Sequence, residues 1–456
     1  MMVSEIKLWN SEASAMHEKH LTLRRTFSPE DAKKCLYIDF EVPDGVELLR
    51  IRHSWQPRAQ GNLDFGLIGP DGEQVGASGN VRQEVVISEK YATPGYEQVT
   101  PRPGKWKIIV GTDRVGEGVT AEYHITYVFS ERRWLKGDTH LHTVHSDGKY
   151  TPGALIEKAR RKKLDYIIIT DHNNSVAAHT PYNFPDLLVL KGVELTSFLG
   201  HINFWGVERP FTLPYCVNSF EDFLPIHRQA LERGAVISLN HPDCKNCGWH
   251  LPREGFHYDC VEVWNGPQRI DNMTTLEWWH RQLLTGKRLA AVGGSDYHRD
   301  YVVTDLLAVP TTFVCAQSCT AAGILDALRN GHAFVSAGVN GPRLYLTCGD
   351  AIQGDAIPFA AGLKIRISAE HLRPGDRLVV YENDRIVHEY RPARGGRYCI
   401  ELPVTEKGFI RAEVLTDYGT LRRTAYRAVC RVRLPADVTL PVPPMARCIS
   451  NPIYFE

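Results

Sequence analysis

The chain has 456 residues, in which 53 lysines and arginines balance 53 aspartates and glutamates. A neutral balance with no basic block gives nucleic acid or an anionic membrane surface little to hold, so neither is expected as a main partner. The length exceeds what one hydrophobic core usually fills, so two or three domains are expected.

The start, Met1 to Trp9, lacks an apolar stretch and does not read as a signal peptide. No run approaches the roughly 18 apolar residues of a membrane-spanning helix. Eleven cysteines, odd in number and irregularly placed, fit a reducing compartment better than a disulfide framework, so a cytoplasmic location is expected. Up to about Arg133 the texture is β. Residues 37–42, 48–52 and 107–110 alternate or run apolar between turn sequences such as Gly69-Pro-Asp-Gly72. Short strands punctuated in this way predict an N-terminal β-sandwich over residues 1–133.

From Trp134 strands alternate with helices, the sign of an α/β fold, here assigned to residues 134–338. Thr151-Pro152 opens a helix to about Lys163, with Thr as N-cap and Pro at the first helical position. Further helices are predicted over 219–233, 274–285 and 320–330, the last closed by Gly331. Between them, residues 164–169, 187–193, 235–239 and 289–292 are apolar runs suited to strands buried on both faces. After about Asn340 the β texture returns. Residues 343–347, 378–381 and 409–414 predict a small C-terminal sandwich over 339–456, with the tail 450–456 docking as a last strand.

The chemistry-bearing residues sit where these apolar runs end. Gly137-Asp-Thr-His140-Leu-His142 places two imidazoles on one face of a strand, and neutral imidazole is the commonest side-chain metal ligand. Later runs end in Asp171-His172, in Glu194 followed by His201, in Asn240-His241-Pro242, and in Asp296-Tyr297-His298. The C-terminal ends of strands are where α/β barrels build active sites. One such ending is uninformative; five in one segment mark a site. Cys244-Lys-Asn-Cys247 has zinc-knuckle spacing, but no second Cys-x-x-Cys follows, so it is read as shaping the pocket rim or as chemically idle, with a redox or zinc role the lesser reading. The aromatic stretch 277–280 is read as helix packing.

In this order the motifs resemble the PHP superfamily, named for polymerase and histidinol phosphatase. Gly137 to His142 and Gly200-His-Ile-Asn-Phe204 are most similar to its CehA/McbA-type metallohydrolase branch. The resemblance spans about Gly137 to His298. It implies a distorted (β/α)7 barrel, flanked here by the two β-sandwiches, with two or three divalent ions (zinc, manganese or iron) at its mouth. The implied ligands are His140, His142, Asp147, His172, Glu194, His201, His241, Asp296 and His298. Glu194 would bridge two ions, with His140, His142 and Asp296 on one and His172 on the other. Asp147, His201, His241 and His298 would complete the second site or hold a third ion. A metal-bound water with its pKa lowered towards ~7 would attack phosphorus or a carbonyl carbon.

The expected function is therefore a metal-dependent phosphoesterase acting on a small phosphorylated molecule. A carbamate, ester or amide hydrolase is the alternative, and a non-catalytic metal-dependent binding protein a second one. Asp138 and Asp171 are expected to orient imidazoles or to shuttle protons. Arg299 is a candidate for meeting a phosphate, and His145 is read as a solvated loop residue. Substrate identity, the metal and the oligomeric state are left open.

Overall fold

The computed structural model describes residues 18–300, 304–417 and 444–456. The reading of Met1 to Trp9 as not a signal peptide concerns residues outside these. The chain divides into two compact units. The first is Met1–Arg133 with Tyr182–Leu188 and Gln317–Gly323; the second is Trp134–Pro181, Val189–Ala316 and Ile324–Glu456. Residues after 338 thus group with the segment that starts at Trp134.

In the first unit eight strands, β1 (Glu18–Phe27), β2 (Lys34–Val42), β3 (Val46–Gln56), β4 (Gly61–Ile68), β5 (Gln74–Ser78), β6 (Glu84–Ser88), β7 (Gly104–Val115) and β8 (Val119–Phe129), form two sheets. Their orders are β1-β8-β3-β6 and β2-β7-β4-β5. Successive strand residues face opposite ways, so alternate positions can all turn inward. Leu49, Ile51 and Trp55 of β3 thereby share one core with Phe65 of β4 and with Trp106, Ile108 and Val110 of β7.

The second unit is built on β9 (Arg133–Leu141), β10 (Tyr166–Ile169), β11 (Leu188–Ser197), β12 (Gly200–Trp205), β13 (Val236–Leu239), β14 (Cys260–Asn265), β15 (Ala290–Gly294), β16 (Thr311–Ala316) and β17 (Ala333–Ser336). They lie in the order β15-β14-β13-β12-β11-β10-β9-β16-β17. Strands Met445–Ser450, Gly408–Thr416, Asp376–Glu382 and Arg385–Tyr390 extend the same path. The helices are α1 (Pro152–Arg161), α2 (Val176–His179), α3 (Phe220–Glu232), α4 (Ile270–Leu284) and α5 (Ala321–Arg329). Thr151 caps α1 by accepting from the Ala154 N–H at 3.3 Å, and Ser219 caps α3 by accepting from Asp222 at 3.3 Å.

Two departures from the expected pattern have local causes. Helix α4 starts at Ile270 rather than at 274, because buried Asn272 donates to the Asn265 carbonyl at 3.1 Å and ties the first turn to the preceding strand. The strand–helix alternation also breaks at β11 and β12, which pair antiparallel, with Ser197 opposite Gly200. A parallel crossover needs a dozen or more residues, and the chain between these strands has room only for a turn.

The sheet curls on itself. Leu141 bridges Tyr297 in parallel, and the His142 N–H donates to the Tyr297 carbonyl at 3.1 Å. The hydroxyls of Thr139 and Thr312 both donate to the Gly293 carbonyl, at 3.1 and 2.6 Å. The end of β9 therefore lies against the end of β15. The unit is mixed α/β, mostly strand with few helices, its main sheet curled into a half-barrel.

Residues 343–347, 378–381 and 409–414 are in strands as expected, within Arg343–Cys348, Asp376–Glu382 and Gly408–Thr416. The tail strand Ile453–Phe455 docks antiparallel on Gly408–Ile410 and parallel to Ala356–Ile357. Among the described residues no helix is long and apolar enough to cross a membrane.

Ile51 is fully buried in the first unit's core. Ile51→Ala should cost about 2–5 kcal/mol, read as a lower urea midpoint of unfolding.

Candidate metal centre

The side chains singled out by the sequence are carried to one end of the curled sheet. His140 lies at the end of β9 and His142 follows it. His172 comes after β10, where it makes an isolated parallel bridge to Glu194 of β11. His201 opens β12 opposite Thr196 in the hairpin. His241 follows β13, and Asp296 and His298 follow β15. His241 and Asp296 have positive φ angles of 27° and 50°. Such values are unusual for residues with a side chain and recur at functional sites.

Glu194 is the hub, with its carboxylate wholly buried. Its Oε1 lies 3.2 Å from His140 Nε2, 3.2 Å from His201 Nδ1 and 3.7 Å from His241 Nε2. Its Oε2 lies 2.8 Å from His172 Nδ1 and 3.5 Å from His142 Nε2. Asn240 donates to Oε1 at 2.8 Å and Thr196 to Oε2 at 3.3 Å. A second carboxylate, Asp296, has Oδ1 3.0 Å from His142 Nε2, 3.5 Å from His140 Nε2 and 3.6 Å from His298 Nδ1. On the exposed side, Asp147 Oδ1 lies 3.1 Å from His298 Nε2 and 3.4 Å from His172 Nε2. All nine candidate ligands therefore converge.

Within this cluster, donor atoms close enough to share an ion occur as His140, His142 and Asp296; as His140, Glu194 and His241; and as His142, Asp147, His172 and His298. The residues present fit divalent cations. His140 Nε2, both ring nitrogens of His142 and His241 Nε2 are buried without an aligned hydrogen-bond partner. Buried polar atoms are normally satisfied, so unpartnered nitrogens around a buried carboxylate suit metal coordination. The nine are imidazoles and carboxylates, a set that matches zinc, manganese or iron(II), and the sulfurs of Cys244 and Cys247 also lie within reach of His241.

The titrations reflect the crowding. Burial opposes charge on His140, but Glu194, Glu262 and Asp296 outweigh it and raise the ring's pKa well above the usual value. His142, equally buried, is pushed down to about 4. His172 and His241 are raised against their burial, His172 by its contact with Glu194 and His241 by the charges of Glu194, Glu262 and Asp296 around it. Burial would raise Glu194, yet His140 and His201 hold it well below the usual carboxylate range.

The remaining candidates are placed differently. Asp171 accepts from the Thr143 N–H at 2.7 Å, the Thr143 hydroxyl at 2.7 Å and the Ser146 hydroxyl at 2.6 Å. Asp138 accepts from the Ser295 N–H at 2.9 Å, the Ser295 hydroxyl at 2.5 Å and the Ala308 N–H at 2.7 Å. Among the described residues the hydrogen-bond partners of both carboxylates are hydroxyls and backbone amides. The two acids tie down the chain beside His142 and Asp296. Burial raises the Asp138 pKa to about 6. Arg299 and His145 are both exposed.

Glu262 of β14 was not singled out by the sequence reading. It accepts from His140 Nδ1 at 2.9 Å and from the His241 backbone N–H at 3.1 Å, fixing one ring and the loop of another ligand. Its signal was a lone carboxylate inside an apolar strand, Cys260-Val-Glu-Val-Trp-Asn265. Asn240, quoted only as part of a motif, orients the hub carboxylate. A Cβ on Gly294 would meet His140 Cβ at 2.4 Å and Glu262 Oε1 at 2.7 Å, so the glycine is required by this close approach.

Glu262→Gln should weaken metal binding by about 10–100-fold, the usual effect of losing a carboxylate behind a ligating histidine, as measured by competition with a chelator. In the metal-free protein, the raised pKa of His140 contributes stability that is complete below the unfolded imidazole value. That stability is lost as pH rises through the raised folded value. The melting temperature of chelated protein should therefore fall on going from pH 6 to alkaline pH, while added metal removes the fall, as read by thermal scans with and without zinc.

Residues 138–208 match the model of the PHP domain. No curated protein matches the chain significantly. Among solved structures, a two-domain protein of Bacteroides vulgatus, described as containing a PHP-like metal-dependent phosphoesterase, is 19% identical. The match covers 62% of this chain and 90% of that one, with a TM-score of 0.38. A Bifidobacterium adolescentis protein described as a metal-dependent phosphoesterase is 16% identical over 37% of this chain and 90% of that one, with a TM-score of 0.25. An amidohydrolase of Chromobacterium violaceum is 17% identical over 36% of this chain and 87% of that one, with a TM-score of 0.24. The segment that is similar to the PHP domain holds His140, His142, Asp147, His172, Glu194 and His201.

Proposed function

We propose that the protein is a metal-dependent hydrolase, and specifically a phosphoesterase acting on a small phosphorylated molecule. One observation carries this reading: the two oxygens of buried Glu194 face different sets of imidazoles, the disposition of a carboxylate shared by two cations. His140, His142 and Asp296 would hold one ion with Glu194. His172, His298 and Asp147, and His201 and His241 on the opposite side of Glu194, would hold one or two more.

The ions would supply a nucleophile by acidifying water and would neutralise charge developing on the substrate oxygens. The protein's own groups keep the donors in place. Glu262 holds the His140 ring, Asn240 and Thr196 fix the two Glu194 oxygens, and Asp138 and Asp171 anchor the flanking loops. Half-exposed Asp147 and the rings of His172 and His298 mark the side open to a substrate, where Arg299 is a candidate phosphate contact. The wider architecture proposed with this function is a distorted (β/α)7 barrel over 134–338 between sandwiches over 1–133 and 339–456. Hydrolysis of a carbamate, ester or amide is the second reading, supported by the likeness of residues 137–142 and 200–204 to the CehA/McbA-type branch.

The test uses p-nitrophenyl phosphate, bis-p-nitrophenyl phosphate and 1-naphthyl N-methylcarbamate with protein loaded with zinc or manganese. Phosphoester turnover is expected, abolished by chelation and restored by metal. Elemental analysis should give two to three ions per chain, and fewer in Glu194→Ala. That variant should lose more than roughly 100-fold in activity, since a ligand matters more than the partners behind it. Turnover that survives exhaustive chelation would remove the proposal. Preference for the carbamate would replace phosphoryl by acyl chemistry.

A further inference from the structure

We propose that Cys244 and Cys247 are a reversible disulfide site that controls the neighbouring metal-centre residue His241. This rests on the reading of His241 as a ligand. His241 turns Nε2 towards Glu194, and its other ring nitrogen, Nδ1, faces away from the cluster. Among the described residues the hydrogen-bond partner of that Nδ1 is Cys247 Sγ, at 3.8 Å. What the second nitrogen of a ligating imidazole meets sets its tautomer and orientation. Here that position belongs to a thiol rather than to the usual carboxylate or carbonyl, and a thiol can be oxidised.

The loop after β13 is folded so that the two sulfurs meet. The Cys244 N–H donates to the His241 carbonyl at 2.9 Å, and the Trp249 N–H to the Pro242 carbonyl at 3.0 Å. Arg253 donates to Asp243 Oδ1 at 2.8 Å and to the Pro242 carbonyl at 3.1 Å, while the Thr275 hydroxyl donates to Asp243 Oδ2 at 2.9 Å. Gly248 lets the loop close, since a Cβ there would lie 2.4 Å from the Cys244 carbonyl oxygen. The result is a Cys244 Sγ to Cys247 Sγ distance of 2.9 Å. Only a small approach separates this from a bond of roughly 2.0 Å. Cys247 is half-buried and Cys244 buried.

With a low-molecular-weight disulfide such as glutathione disulfide the chemistry is balanced. The Cys244 thiolate attacks one sulfur of the reagent and releases one small thiol. The Cys247 thiolate then attacks the mixed disulfide at Cys244 and releases the second, so the two cysteines are oxidised as the reagent is reduced. The closed pair leaves His241 Nδ1 facing a disulfide sulfur, a poor acceptor, and the ring is no longer held. Metal affinity falls, and a reducing thiol restores it.

The experiment exposes metal-loaded wild-type protein to glutathione disulfide, then blocks free thiols, digests the protein and weighs the peptides. The peptide holding both cysteines should be lighter by two hydrogens. Bound metal should be retained about tenfold less tightly in chelator competition, and dithiothreitol should reverse both changes. Cys244→Ser, with Cys244→Ala as a second variant, keeps Cys247 beside His241 and should keep its metal under the oxidant. None of these readouts needs a substrate, so a failure of the phosphoesterase reading does not affect them. The proposal falls if no internal link forms between the two cysteines, or if the link forms with metal affinity unchanged. It also falls if the wild-type protein holds an extra zinc that Cys244→Ser loses, since the pair would then be a metal site.

Discussion

The second unit is organised around one costly act, the complete burial of the Glu194 carboxylate. A lone carboxylate removed from water would protonate rather than stay charged. Here five imidazoles, Asn240 and Thr196 surround it. These partners come from β9, β11, β12 and the segments after β10 and β13, so Glu194 keeps its charge only when most of the sheet is in place. The same constraint acts in reverse. The rings around Glu194 present nitrogens without aligned partners, and the arrangement is balanced best when positive charge sits between them.

Around this hub the backbone is bent in specific places. His241 and Asp296 both take positive φ, and both backbones are secured from behind. Glu262 accepts the His241 N–H, and Asp138 accepts from Ser295, the residue before Asp296. Strain of this kind persists only where surrounding bonds over-determine it. The buried acids therefore divide the labour: Glu194 and Asp296 face the cluster, while Asp138, Asp171 and Glu262 hold the chain that presents it. Gly294 completes the arrangement by giving His140 and Glu262 the space a side chain would occupy.

Most of the candidate ligands were legible because they sit at or just after the end of an apolar run, where a polar residue is conspicuous. The strands of the first unit were legible for a similar reason: alternation in residues such as Leu49, Ile51 and Trp55 reports a one-sided core directly. Glu262 escaped because a single carboxylate inside an alternating strand looks like a solvent-facing position, and only the sheet's two buried faces reveal otherwise. The partners of Asp138 and Asp171, amides and hydroxyls of distant loops, have no local signature. Pairing over long separations was equally hidden. Phe334 of β17 lies opposite Ser450 of strand Met445–Ser450, which joins the last part of the chain to the curled sheet. Nothing near either residue announces the other.

The hairpin of β11 and β12 shows how a break in regularity serves the site. In a parallel sheet, loops at the end where strands finish are the natural place for donors, and residues that open a strand lie at the opposite end. His201 opens its strand, and would be at that opposite end if β12 ran parallel to β11. Because the chain turns back at Ser197 and Gly200, the start of β12 lies beside the finish of β11, and His201 pairs with Thr196 two residues beyond Glu194. The turn thus brings His201 within 3.2 Å of the Glu194 carboxylate. A helix inserted there would restore the regular alternation and remove a donor from the cluster.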